Sequence, residues 1–431
     1  MKKSFTVFAA VIAIALFTNH AFAGVKSDKI IFGDDTEQTT AGGSGYYAPD
    51  SMVTVQRGTN DILSAANLRT AYTAAAALTP GGNALAADNR AVVYIPAGRY
   101  DFGTGDGSNH GLELDTEFVD LVGMTGNRED VVLTSAITVA SRGTVEQTAD
   151  DVKIGFLTME IVSSVSPTMQ NPDPAAYFPA TALTNTVMSD VICLGNTSMG
   201  YGIPMRIGIE YAGTYTRVDG GGWSFAGGQN ITTNSIASGT FTDCVGGTKS
   251  FGAGNGAIAS GDFIRCNTSG GGECFGSGGN NSVANGNFTD CVGGNYCFAS
   301  DWSGQDASGV FIRCIVDAYS FGNSGTASGT FIDCDGGSAG SFGSTVDSGA
   351  VFTRCSPITA TQLDGTVKNC YFADGTLVNE DDELGDLASF REWGEGKDAN
   401  DNWRIGVVNS NFVIQVRVSG TWTTATEFTR P

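Results

Sequence analysis

SGTFTDC, residues 238–244, returns as SGDFIRC at 260–266, SGVFIRC at 308–314 and SGTFIDC at 328–334, with NGNFTDC at 285–291 and SGAVFTRC at 348–355 as close variants. The cysteines of this phrase fall at 244, 266, 291, 314, 334 and 355, at intervals of 22, 25, 23, 20 and 21 residues. A second series, Phe251, Phe275, Phe298, Phe321 and Phe342, marks the other half of each unit, and a small residue always precedes it: Ser250, Cys274, Cys297, Ser320, Ser341. The unit is therefore a short strand, a Gly-rich turn, a second short strand and a small-residue return.

A unit this short buries no core by itself, but stacked units cover one another. Leucine is too scarce for leucine-rich repeats, and the unit is about half the roughly 40 residues of a propeller blade. What remains is an all-β, parallel β-helix solenoid with one coil per repeat. Like residues would stack in ladders about 4.8 Å apart.

Phe and Cys stand three apart, which simple strand alternation places on opposite faces. A corner between them resolves the conflict. Phe241 points inward, the chain bends across Thr242 and Asp243, and Cys244 points inward again. Putting the phenylalanines outside exposes an apolar ladder, and an unbent strand with Phe inside buries six charges. The charged letter, alternating Asp243, Arg265, Asp290, Arg313, Asp333, Arg354, then sits in water at the bend.

Outside the repeat, residues 60–78 read as a capping helix with Leu68, Ala71, Tyr72, Ala75 and Leu78 on one face, stopped by Pro80-Gly81-Gly82. Residues 91–102, AVVYIPAGRYDF, are β-rich, and 166–181 read as an inserted loop. After Cys370 the repeat fails. A charged linker at 379–386 leads to three strands, which should form a small antiparallel C-terminal module that caps the last coil or pairs chains. The expected divisions are 1–23, 24–54, 55–374 with regular coils from about 220, and 375–431.

Residues 1–23 have the pattern of a secretory signal: Lys2-Lys3, an apolar run to Phe17, and Ala21-Phe22-Ala23. The run is too short for an ordinary membrane helix. Without it the chain keeps 21 of its 23 basic residues against 45 acidic ones, a balance of −24. That charge repels phosphate backbones and argues against nucleic acid as a partner. Ten cysteines in an exported chain first suggest disulfides. Their ladder positions instead suggest small buried apolar residues, with Cys274 and Cys297 the one pair marked out for bonding.

The order of helix, YIPAGRYDFG (94–103), ELDTEFVDLVGM (113–124), GTVEQTADDVKIGFLTME (143–160) and SGTFTDC…SFG coils resembles the pectate-lyase-like right-handed parallel β-helix superfamily, over roughly residues 55–374. The resemblance implies a secreted or phage-tail-like protein and, in its enzymes, polysaccharide lysis or hydrolysis. Its lyases use an Arg or Lys base and Ca2+ held by carboxylates. In that light Arg265, Arg313 and Arg354 are candidate bases and Asp243, Asp290 and Asp333 candidate acids, whereas flanking by Asp keeps each Arg charged. The ladder also reads as a surface ion-pair column. Tyr177 and Phe178 are candidate sugar-holding aromatics.

No cofactor motif appears, and Ca2+ is expected only if the chain is an enzyme. His110 is the one histidine left after the signal, and it reads as a turn residue. Asp150-Asp151 reads as a capping pair, and DANDN (398–402) departs from a calcium loop at Trp403 and Asn409. Two functions follow: a non-catalytic extracellular structural or adhesin-like protein in contact with glycans, or a polysaccharide-processing enzyme, lyase before hydrolase. A phage-like fibre is a third. A homo-oligomer through the tail fits any of them.

Overall fold

One line of inward residues runs coil to coil through the molecule. Val53, Val93, Leu121, Ile154, Met188, Tyr215, Phe241, Phe263, Phe288, Phe311, Phe331, Phe352 and Val367 stand in parallel register, each opposite the next. The computed structural model is thus a parallel β-helix. It describes residues 47–373 apart from 48, 107–110, 139–142, 163–175, 178–184, 195–209, 222–223, 226–235, 255, 269–271, 301–303, 323, 339–340, 360–362 and 364. It also describes the strands Lys29–Ile31, Glu37–Thr39, Leu377–Val378, Arg391–Trp393, Trp403–Val408, Asn411–Val418 and Thr421–Phe428. Residues 1–46 form a compact unit separate from 47–431, and in it Lys29–Ile31 pairs antiparallel with Glu37–Thr39. The proposed signal, His110, Phe178 and the DANDN turn lie outside the described residues.

The bend required between Phe and Cys is a left-handed residue. Asp243, Arg265, Asp290, Arg313, Asp333 and Arg354 all have φ between 51° and 55°. A single residue in this region turns the strand, so the side chains on both sides of it face the core. Phe241, Cys244 and their counterparts in the later repeats are buried. The same corner occurs earlier, at Phe156, Asp190 and Arg217, inside the long strands Lys153–Ile161, Val187–Leu194 and Thr214–Gly221. Regular register therefore reaches well before residue 220. In these earlier coils Leu157, Val191 and Val218 are paired in register at the place that cysteine fills later. Cysteine is acting there as a small apolar residue.

The second phenylalanine series interlocks with the first. Phe263 and Phe288 stack at 4.8 Å and 4°, and Phe251 and Phe275 stack at 4.7 Å and 4°. Across the core, Phe263 meets Phe275 edge to face at 5.5 Å and 86°. Each such pair contributes about 0.5–1.5 kcal/mol beyond area burial. A third line of strands, from Glu210–Tyr211 to Thr345–Val346, closes each coil. The return from that line into the next repeat needs glycine because backbones nearly touch. A Cβ on Gly261 would strike the carbonyl of Gly239, and one on Gly286 that of Gly261.

Helix α1, Asp61–Ala76, packs on the first strands of the solenoid, 52–54, 91–95 and 98–101. Asn60 caps it by accepting the Leu63 N–H at 2.8 Å. Leu68, Ala71, Tyr72 and Ala75 of the expected face are buried, with Ser64 and Ala65 added, whereas the helix ends at Ala76 and leaves Leu78 beyond it, only partly buried. In the first coils Arg90 and Asp120 form a buried ion pair, joined by the Tyr47 hydroxyl, which donates to Asp120. The tail is a four-stranded antiparallel sheet, since Arg391–Trp393 joins the three expected strands.

Candidate functional site

The repeated corner places a row of charges along one edge of the solenoid, where they form discrete pairs. Arg265 Nε donates to Asp243 Oδ1 at 2.6 Å and its Nη2 to Oδ2 at 2.8 Å. Arg313 grips Asp290 in the same way, and Arg354 grips Asp333. The sequence sets Arg265 and Arg313 between two Asp, and Arg354 between Asp333 and Asn369, but each guanidinium closes its fork on the preceding coil only. A fourth pair, Arg217 on Asp190, extends the row upstream. Its phrases, VMSDV (187–191) and TYTRV (214–218), carry the same charged letter, but valine replaces the cysteine that marks the repeat.

This geometry decides the chemistry of the row. Hydrogen bonds from the paired Arg hold Asp243, Asp290 and Asp333 below the usual carboxylate range. Hydrogen bonds to the same carboxylates push Arg265, Arg313 and Arg354 further up. A guanidinium held this way keeps its proton and is no base. These carboxylates are equally unsuited to act as proton donors near neutrality.

In the N-terminal coils Tyr177 lies on a strand, Ala176–Tyr177, rather than on a loop. Tyr177 is in register with Glu146, and Glu146 with Glu113. Two carboxylate residues and a tyrosine thus line one register column of the three-stranded sheet formed by Leu112–Leu114, Val145–Gln147 and Ala176–Tyr177. No spacing rule in the sequence announces this column. Asp150 and Asp151 stand at a bend, where Asp151 is left-handed at φ 51°. They accept hydrogen bonds from the Asn185 backbone N–H and side-chain amide. Among the described residues, no group of three or more His, Cys, Asp or Glu is placed to hold a metal ion. No helix among them is long and apolar enough to cross a membrane.

A further row lies two residues before the second phenylalanine series. It reads Lys249, Glu273, Tyr296, Tyr319. Lys249 Nζ pairs with Glu273 at 2.6 Å. Tyr296 and Tyr319 stack at 5.6 Å and 13°, and Tyr319 is 50% exposed. Nearby is an open recess of about 510 Å3 lined by Gly337, Ser338, Ser356, Pro357, Tyr371, Phe372 and Ala373. Tyr371 is 45% exposed. Neither tyrosine belongs to the repeated phrase, so the phrase alone does not draw attention to them. Reading one column letter by letter does.

The disulfide joins Cys274 to Cys297, with Cα atoms 4.6 Å apart on adjacent coils. The other eight cysteines are free and buried. Ladder thiols donate instead to carbonyls of the preceding coil, for example Cys291 to Phe263 O at 3.3 Å. Burial raises the Cys291 and Cys314 thiols well above the usual range.

The chain matches no known protein-family model, no curated protein and no solved structure.

Proposed function

We propose that this chain is a non-catalytic structural protein of the cell exterior, adhesin-like, which holds a rigid β-helical edge against polysaccharide or cell-surface glycan. The observation that carries this reading is the charged row. Its arginines and aspartates are consumed in bidentate pairs, Arg265 on Asp243 and its three counterparts. The row therefore supplies fixed hydrogen-bonding charge rather than a proton acceptor. The interlocked phenylalanine ladders supply rigidity over the same coils. Export rests on the signal-like pattern of residues 1–23. The pectate-lyase-like resemblance of residues 55–374 fits an extracellular setting. The antiparallel tail is the element through which copies would associate.

A second reading, a polysaccharide-processing enzyme, is favoured by one observation: Glu113, Glu146 and Tyr177 share a register column. Adjacent parallel strands lie about 4.8 Å apart, close to the roughly 5–5.5 Å carboxyl separation of retaining glycosidases. A lyase of this kind would need Ca2+.

The full chain incubated with a panel of polysaccharides separates the two readings. Binding without new reducing ends or unsaturated products is expected. Product formed by the wild-type chain and abolished in Glu146→Gln would overturn the non-catalytic reading.

A further inference from the structure

The row of Lys249, Glu273, Tyr296 and Tyr319 presents an exposed aromatic ring at Tyr319. Tyr296 covers one side of the Tyr319 ring. Half of Tyr319 is nevertheless open to solvent. The recess lies next along the same edge. Its wall residue Gly337, at φ +67°, sits so close over the preceding coil that a Cβ there would strike the carbonyl oxygens of Val316 and Asp317. Asp317 is two residues from Tyr319. The far wall carries Tyr371 and Pro357. Exposed Asp317 and Asp335 stand on this stretch, and Asp335 accepts the Gly337 N–H at 3.0 Å.

We propose that Tyr319 and the Tyr371 recess together form a binding site for a neutral glycan chain. This rests on the glycan-contact part of the function proposed above. The chemistry selects the occupant. An exposed aromatic ring offers a large rigid apolar face at little entropic cost, and a pyranose ring presents a matching C–H face. The flanking carboxylates accept hydrogen bonds, which sugar hydroxyls donate. Polymers of uronate or sulfate bring negative charge to a chain that already counts 45 acidic residues against 23 basic ones, and so are repelled.

The test is affinity electrophoresis of the full chain in gels containing hydroxyethylcellulose, laminarin or galactomannan, with polygalacturonate and alginate as anionic counterparts. Tyr319→Asn tolerates the left-handed backbone of Tyr319, φ 52°, and is combined with Tyr371→Ser. The expected result is retardation by at least one neutral polymer, weakened roughly tenfold in the double variant, with an unchanged thermal transition. If the double variant binds a neutral polymer as well as the parent does, this site is wrong while the glycan-contact reading stands. Preferential retardation by the anionic polymers overturns the proposal. If no polymer retards the parent chain, both the site and glycan contact fall. A change of oligomeric state in the double variant, with no polymer bound by the parent, assigns the surface to self-association and also overturns the site.

Discussion

Arg265 closes a two-point fork on Asp243, one coil before it, and leaves Asp290, one coil after it, to Arg313. The alternation of charge thus resolves into pairs. Single exposed ion pairs contribute little, so the row acts chiefly by keeping like charges from stacking. Asp290→Arg would set three guanidinium groups in succession, Arg265, the new residue and Arg313. The thermal transition should fall by a few degrees, about 2–4 °C per kcal/mol lost, and 0.5 M salt, about the range where screening becomes short, should restore part of it. An unchanged transition at low salt would show that the column's charge order is without consequence.

The same pairs set an acid limit. The folded-state pKa values of Asp190, Asp243, Asp290 and Asp333 are depressed. Their contribution is present above the unfolded carboxylate value, about 3.9, and is lost as pH falls through the folded values. Stability measured by denaturant titration should decline below about pH 4. Replacing all four aspartates by Asn, which tolerates left-handed backbone, should flatten that decline. An equally steep acid limb in the fourfold variant would place its origin elsewhere.

Backbone conformation at the corner is testable apart from charge. Asp243 has φ 54°. Asp243→Gly and Asp243→Val remove the same carboxylate, but a side chain in the left-handed region costs about 1–2 kcal/mol, and a β-branched one fits worst. The valine variant should be the less stable of the two by at least about 1 kcal/mol. Equal stabilities would mean that the corner relaxes out of its left-handed form.

Phe288 lies between Phe263 and Phe311, at 4.8 and 4.9 Å, and meets Phe298 edge to face at 5.2 Å. Phe288→Ala should cost about 3–5 kcal/mol. Because coils couple to their neighbours, amide exchange should quicken most in the coils carrying Phe263 and Phe311. Uniform quickening along the whole solenoid would rule out this nearest-neighbour behaviour.

Thiol counting checks the cysteine assignment. The folded, unreduced chain should resist alkylation at its eight buried thiols and yield eight labels after unfolding, ten only after reduction. Replacing Cys274 and Cys297 together by Ser restores the residue found at Ser250 and Ser320, so the variant should fold. It should lose about 3 kcal/mol, the loop-closure contribution expected for a bridge across 23 residues. A tenth label without reduction would remove the bridge.

Much of this was legible in the chain because a solenoid writes its geometry as a period. The spacing of Phe241, Phe263 and Phe288 implied the coil. The two inward letters three apart, Phe241 and Cys244, implied a corner, and the charge between them showed which side of it faces water. Hydrophobic burial and the cost of buried charge act on each repeat in the same way, so six imperfect copies reinforce one answer. The upstream coils were harder to see because Met188, Tyr215, Val191 and Val218 fill the same core with different letters. Packing conserves volume and polarity, not identity. Contacts between residues far apart in the chain were decided only by tertiary structure. Arg265 turns to Asp243 and not to Asp290, Cys274 bonds Cys297 while Cys266 and Cys291 stay reduced, and Glu113, Glu146 and Tyr177 share one column. Those outcomes depend on side-chain direction and coil register at single positions, and irregular connections between strands hide both from any reading of the sequence alone.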